Sequence, residues 1–127
     1  MANSVDRPVY TVARMSCLFC EIVSGRIPSR KAYEDEDVVA FHDINPQGPT
    51  HVLIVPRKHI TSLNDLSPED DVVVGSLVRR GRDLAFEAGL AQRGYLLVFN
   101  CGDDAGYCVY HIHMHLIGGR RLGWPPG

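Results

Sequence analysis

The spacing of apolar residues along the chain changes period several times, and each change marks an element. Residues 17–25, Cys17-Leu18-Phe19-Cys20-Glu21-Ile22-Val23-Ser24-Gly25, put Leu18, Phe19 and Ile22 on one helical face and end at a glycine, as a short capped helix does. Pro28 keeps it from continuing. Period two then takes over: residues 31–33 and 38–44 read as strands around the acidic turn 34–37, and residues 51–55 follow the turn Asn45-Pro46-Gln47-Gly48-Pro49. Ser67-Pro68-Glu69-Asp70 is a helix start, with a serine cap, proline at the first position and acids where the helix dipole favours them. The helix is expected to reach about Ala88, burying a stripe of Val74, Leu77, Val78, Gly81, Ala85 and Ala88 and stopping at Gly89. Two further strands, residues 95–100 and 109–117, flank the loop 101–108. This order predicts an α+β fold, an antiparallel meander sheet with one long and one short helix covering one of its faces.

Residues 1–15 show no apolar period and read as a flexible extension, with Met15 a candidate alternative start; residues 16–127 read as one domain that includes the C-terminal tail. A length of 127 residues, 45% apolar, with a formal charge of −2, suits one domain with a real core. The basic residues are scattered, the pairs Arg79-Arg80 and Arg120-Arg121 being too short for a nucleic-acid groove, so any nucleotide ligand is small. No apolar run approaches the ~20 residues of a membrane helix, and residues 1–14 lack the apolar stretch of a secretory signal, so the expected compartment is the cytoplasm. In that setting four cysteines point to metal binding or burial rather than disulfides.

The chemistry concentrates in His111-Ile112-His113-Met114-His115. On an extended strand the three imidazoles share one face while Ile112, Met114 and Leu116 point into the core. A lone strand histidine is ordinarily a half-buried, hydrogen-bonded residue; three at strict period two ask for more. Two of them could converge on one ion at ~2.0–2.1 Å. His111 and His115, however, stand about 13 Å apart at a rise of ~3.3 Å per residue, which argues against all three on one metal. Such a row suits a nucleophile with supporting neighbours, the middle residue, His113, attacking. Separately, Cys17-x-x-Cys20 has the spacing of two thiolates on one zinc, although a redox pair or two buried thiols fit it as well.

Taken with Ala40-Phe41-His42-Asp43-Ile44, Pro49-Thr50-His51, Val55-Pro56-Arg57-Lys58-His59-Ile60, Gly118-Gly119-Arg120 and Trp124-Pro125-Pro126-Gly127, the histidine run resembles the motif of the histidine-triad (HIT) superfamily. The matches span nearly the whole chain from Cys17. The ending resembles the Hint branch, purine nucleoside phosphoramidases that release nucleoside monophosphate from P–N bonds. The resemblance implies that His113, neutral, attacks the α-phosphorus to form a nucleotidyl-histidine that water then hydrolyses, without a catalytic metal. His115 and strand carbonyls would orient His113, and His51 would manage charge and protons near the phosphate. Asp43 would bind the ribose. Leu18, Phe19, Ile22, Phe41, His42 and Ile44 would form the purine slot, and Asn100 and the loop to Gly106 would lie near the phosphate.

A structural zinc on Cys17, Cys20, His59 and His111 is also implied, with His111 shared between that site and the catalytic row. The stiff ending suggests a two-fold homodimer in which Trp124 nears the partner's active site; its alternative is a tail folded on its own subunit. One departure stands out: where the branch carries Gln-Ser, this chain has Tyr107-Cys108, so a hydroxyl donor near the substrate becomes a weaker thiol and turnover is expected to suffer. Three competing functions remain: hydrolysis of another nucleotidyl linkage such as adenosine 5′-phosphosulfate or a dinucleoside polyphosphate, a non-catalytic nucleotide-binding or interaction module, and a metal-dependent hydrolase with the triad as ligands. Neither a nucleic-acid nor a membrane partner is expected.

Overall fold

In the computed structural model, which describes residues 17–107 and 109–126, five strands form one antiparallel sheet. The expected extension over residues 1–15 lies outside the described residues, as does Cys108. The strands are β1 (Lys31–Glu34), β2 (Val38–His42), β3 (Thr50–Pro56), β4 (Tyr95–Phe99) and β5 (Met114–Gly118), in the spatial order β1-β2-β3-β5-β4. The first three form a meander; the last two join it in reverse, so that β5 lies beside β3 and β4 takes the edge.

Helix α1 (Leu18–Val23) and helix α2 (Asp71–Glu87) lie on opposite faces, not on one as the sequence suggested. Leu77, Leu84 and Ala85 of α2 pack with Val38, Ala40, Val52, Ile54, Met114 and Leu116. Phe19 and Ile22 of α1 pack with Val39, Phe41, Leu53 and Val55, the alternate residues of the same strands. The continuous apolar runs Val38-Val39-Ala40-Phe41 and Val52-Leu53-Ile54-Val55 carry this signal, because a sheet wetted on one side would alternate.

The start of α2 is as its sequence suggests, with a 3₁₀ turn at Pro68–Asp70 and the Ser67 N–H donating to Asp70 Oδ2 at 3.0 Å. Its stripe is narrower and rotated. Leu84, seven residues from Leu77 and so nearly over it, is buried, whereas Val78, about 100° around the helix from Leu77, is 45% exposed. Ala88, at the C-cap, is exposed too. Gly81 lets the helix approach closely: a Cβ there would stand 2.6 Å from Met114 Cε and 2.9 Å from Leu97 Cδ2.

The last strand is shorter than its alternation implied, beginning at Met114 rather than Val109. The register Ile54↔Met114 would bring Ile112 opposite Pro56, which has no N–H to continue the ladder. The Ile112 N–H instead donates to the Ile60 carbonyl at 2.7 Å. That ties the triad segment to the loop after β3, which is fixed in turn by Lys58 Nζ on buried Asp70 (2.7 Å) and Arg57 Nε on the Asp35 carbonyl (2.7 Å). No described helix is long and apolar enough to cross a membrane.

The two faces of α2 separate by mutation. Leu77→Ala is expected to cost about 2–5 kcal/mol of unfolding free energy, and Val78→Ala less than about 1 kcal/mol, in urea titrations. Equal losses would contradict the observed rotation of the stripe.

Candidate active site and metal cluster

Only His115 lies within β5, yet the alternation of the triad persists ahead of the strand. Phe19 of α1 meets the His113 ring edge-on at 4.9 Å and the His111 ring at 6.2 Å, while Ile112, Met114 and Leu116 are fully buried. His113 Nδ1 stands 2.8 Å from the His111 carbonyl. A carbonyl can only accept, so Nδ1 carries the proton and Nε2 keeps the lone pair. Burial pushes the His113 pKa down, outweighing the opposite pull of that carbonyl, and the ring is held neutral.

His115 is bonded elsewhere. Its ring lies 5.1 Å from that of His113, and its Nδ1 is 2.9 Å from His51 Nε2. The Gln47 N–H donates to His51 Nδ1 at 3.0 Å, which places the His51 proton on Nε2 and directs it to His115 Nδ1. Neutral His115 therefore carries its own proton on Nε2. Burial pushes His115 down to about 4 and lowers His51, with Asp43 opposing it in His51. Asp43 Oδ2 is 3.4 Å from His51 Nε2, and its Oδ1 accepts the Asn45 N–H at 2.8 Å. Asp43, His51 and His115 are close enough to share an ion. The donor set is wrong for one, since His51 Nε2 bears a proton and offers no lone pair.

The donors of the second group suit a cation. His111 is wholly buried, and its Nε2–H donates to the Pro56 carbonyl at 2.8 Å, which frees Nδ1. That atom is 3.4 Å from both Cys17 Sγ and Cys20 Sγ and 3.3 Å from His59 Nδ1, itself 3.3 Å from Cys20 Sγ. Bonds of ~2.0–2.1 Å to nitrogen and ~2.3 Å to sulfur give a tetrahedron with N–N and N–S edges of about 3.3–3.6 Å and an S–S edge of about 3.8 Å, so the four residues fit zinc. Burial, then the neighbouring Cys17, pushes Cys20 up to about 12, a cost that a divalent cation would offset. Both ring nitrogens of His111 thus have neighbours outside the triad, the Pro56 carbonyl at one and the cysteines and His59 at the other.

Of the expected purine-slot residues, Phe19, Ile22 and Phe41 are brought together in the apolar cluster under α1. Leu18 is 46% exposed, and Ile44 is fully exposed. His42 is not with them. It follows Phe41 on β2, so it faces the opposite side and lines a cleft with Leu84 and Glu87 of α2. Asn100 Nδ2 donates to the Ala105 carbonyl at 2.9 Å, and its buried Oδ1 has no partner among the described residues. Gly106, at φ 78°, closes the 3₁₀ turn Asp103–Ala105 in a left-handed conformation that glycine adopts freely. Trp124 is 85% exposed.

Sequence reasoning missed one neighbour of His113. Tyr107 is buried, its ring lies 15° from parallel to His113 with centroids 5.5 Å apart, and its hydroxyl donates to the Thr61 carbonyl. The signal was an aromatic side chain where the resemblance has an amide.

The family model for the scavenger mRNA decapping enzyme C-terminal binding domain matches residues 16–122. The chain is 44% identical to the purine nucleoside phosphoramidase of Escherichia coli over 106 residues, 84% of this chain and 89% of that protein. The crystal structure of a HIT family hydrolase from Legionella pneumophila superposes with a TM-score of 0.87 at 48% identity, covering 88% of this chain and 100% of that one. A zinc-bound histidine triad family protein from Mycobacterium smegmatis superposes with a TM-score of 0.72 at 37% identity, covering 89% and 81%. With the alternating histidines leading into the central part of a five-stranded sheet, these likenesses establish that the chain belongs to the histidine-triad family.

Proposed function

We propose that the chain is a hydrolase that cleaves the P–N bond of nucleoside phosphoramidates through a nucleotidyl-histidine at His113. The observation that carries this reading is the tautomer of that buried, neutral ring: with Nδ1–H on the His111 carbonyl, the Nε2 lone pair is free to attack. In the first step Nε2 bonds to the α-phosphorus as the P–N bond breaks, and the leaving amine takes up a proton from solvent. In the second, water replaces Nε2 on phosphorus and releases a proton to solvent, and nucleoside monophosphate departs with the His113 ring neutral again.

His115 presents its Nε2–H to a phosphoryl oxygen because His51 occupies its Nδ1. His51 holds that tautomer, and Asp43 has lone pairs left for the ribose hydroxyls. Phe19, Ile22 and Phe41 form one wall of the base slot, with Leu18 and Ile44 free to fold over the purine; His42 is on the wrong face for a side-chain contact. Asn100 and Gly106 lie on the phosphate loop, with Cys108 in the serine position. The phosphoramidase from Escherichia coli supports the choice of bond. His113→Ala is expected to abolish turnover of an adenosine phosphoramidate in the presence of EDTA while AMP affinity, measured by calorimetry, is retained. Turnover that survives in this variant would rule out the nucleophile.

Cys17, Cys20, His59 and His111 would hold a structural zinc, which would supply cross-linking and neutralise two thiolates, with all four positions taken by the protein. The zinc-bound relative from Mycobacterium smegmatis supports this. Purified protein is expected to contain one equivalent of zinc by mass spectrometry of the metal, and Cys17→Ser to lose it together with several degrees of melting temperature. Zinc-free parent protein of full stability would end the assignment.

A homodimer is supported by β4, whose apolar residues Tyr95-Leu96-Leu97-Val98-Phe99 form an edge strand that is only half-buried along its whole length. In such a dimer Trp124 would approach the partner's site. Sedimentation equilibrium is expected to give twice the chain mass, and a monomer at micromolar concentration would contradict it.

A further inference from the structure

We propose that Tyr107 is a positioning residue that sets the plane of the His113 imidazole; this rests on His113 being the nucleophile. A flat ring on a single hydrogen bond can still rock about that bond. The neighbours that could restrain it differ in kind. Phe19 stands at 88° to His113 and His115 at 63°, both presenting edges. Tyr107 lies face to face with it in the offset manner that aromatic pairs favour, at 15° and 5.5 Å. It is the neighbour against whose face the imidazole would have to tilt.

A wall is useful only if it is itself fixed. The Tyr107 hydroxyl donates to the Thr61 carbonyl, and its ring meets Tyr110 at 5.2 Å and 89°. One residue earlier in the same loop, the Ile60 carbonyl accepts the Ile112 N–H at 2.7 Å. The segment 60–61 thus grips both the triad segment next to His113, ahead of the strand, and the ring that stacks on His113. Tyr107 does not serve as the acid for the leaving amine. Its single O–H proton is committed to a carbonyl, and burial raises its pKa further, to about 12.

The test is rapid-quench measurement of nucleotidyl-enzyme formation with an adenosine phosphoramidate, alongside KM, AMP affinity and melting temperature. Tyr107→Phe keeps the wall and loses its tether; it is expected to slow formation about fivefold, and Tyr107→Leu about a hundredfold, the scale of an ångström misplacement of a reacting group. KM and AMP affinity are expected to stay within about twofold of the parent in both, because the ring acts on His113 and not on bound nucleotide. Partial rescue by Phe over Leu separates orientation from a general loss of stability. If Tyr107→Leu does not fold, slower formation in Tyr107→Phe at unchanged KM decides alone. Parental formation rates in the folded variants, or losses confined to KM and AMP affinity, would overturn the proposal. His113→Ala distinguishes the two levels: if it still turns over, the nucleophile reading fails, whereas an inactive His113→Ala beside fully active Tyr107 variants removes only the role of Tyr107.

Discussion

A neutral imidazole has one N–H and one lone pair, and burial among apolar side chains keeps these imidazoles neutral. Which nitrogen holds which is then decided by whatever atom faces the ring. Two backbone carbonyls make that decision here. Pro56 takes the Nε2–H of His111 and leaves Nδ1 to the cysteines, and His111 in turn takes the Nδ1–H of His113 and leaves Nε2 bare. One backbone N–H does the same for the other pair: Gln47 occupies Nδ1 of His51, so the proton points at His115. Four histidines of one chemical type thereby acquire distinct characters, two as lone-pair donors and two as a proton-carrying pair.

The fold supplies these deciding atoms where strands end. Pro56 closes β3, and because it lacks an N–H the ladder to the triad segment stops there. The carbonyl that remains is free for His111, and Ile112, left without a strand partner, turns to Ile60. Gln47 sits in the turn ahead of β3, with its side chain bridging to the Asn45 carbonyl at 3.1 Å. A continuous ladder would have consumed the same groups in pairing. The tautomers of these histidines depend on the sheet being interrupted at these points.

Much of this was legible in the sequence. The strands after Pro28, the capped start at Ser67 and the alternation of the triad all follow from local rules, and the structure keeps each with boundaries moved by a few residues. The placement of α1 was missed because period alone does not say which face of a sheet a helix covers; the unbroken apolar runs in β2 and β3 did. His42 was grouped with Phe41 through a motif read as a string, although neighbours on a strand face opposite ways. Tyr107 was invisible as a partner of His113 because their contact depends on the turn at Gly106 and on a hydroxyl reaching Thr61, neither of which has a periodic signature. Sequence spacing likewise could not say that one ring nitrogen of His111 faces the Pro56 carbonyl and the other the cysteines and His59.

His111 therefore links the two sites by its two ends. The imidazole belongs to the cluster with Cys17, Cys20 and His59, while the carbonyl of the same residue fixes the tautomer of His113. A side chain that is wholly buried and bonded through both nitrogens has little freedom to rotate, and a backbone bearing such a side chain has little freedom to shift. Thr61 extends the connection, because its hydroxyl lies 3.3 Å from His59 Nε2 and its carbonyl receives Tyr107. The cluster and the His113 ring are thus joined along two short paths, one through His111 and one through residues 59–61 and Tyr107. Along these paths the cluster abuts both the hydrogen-bond acceptor on the edge of the His113 ring and the tyrosine ring on its face.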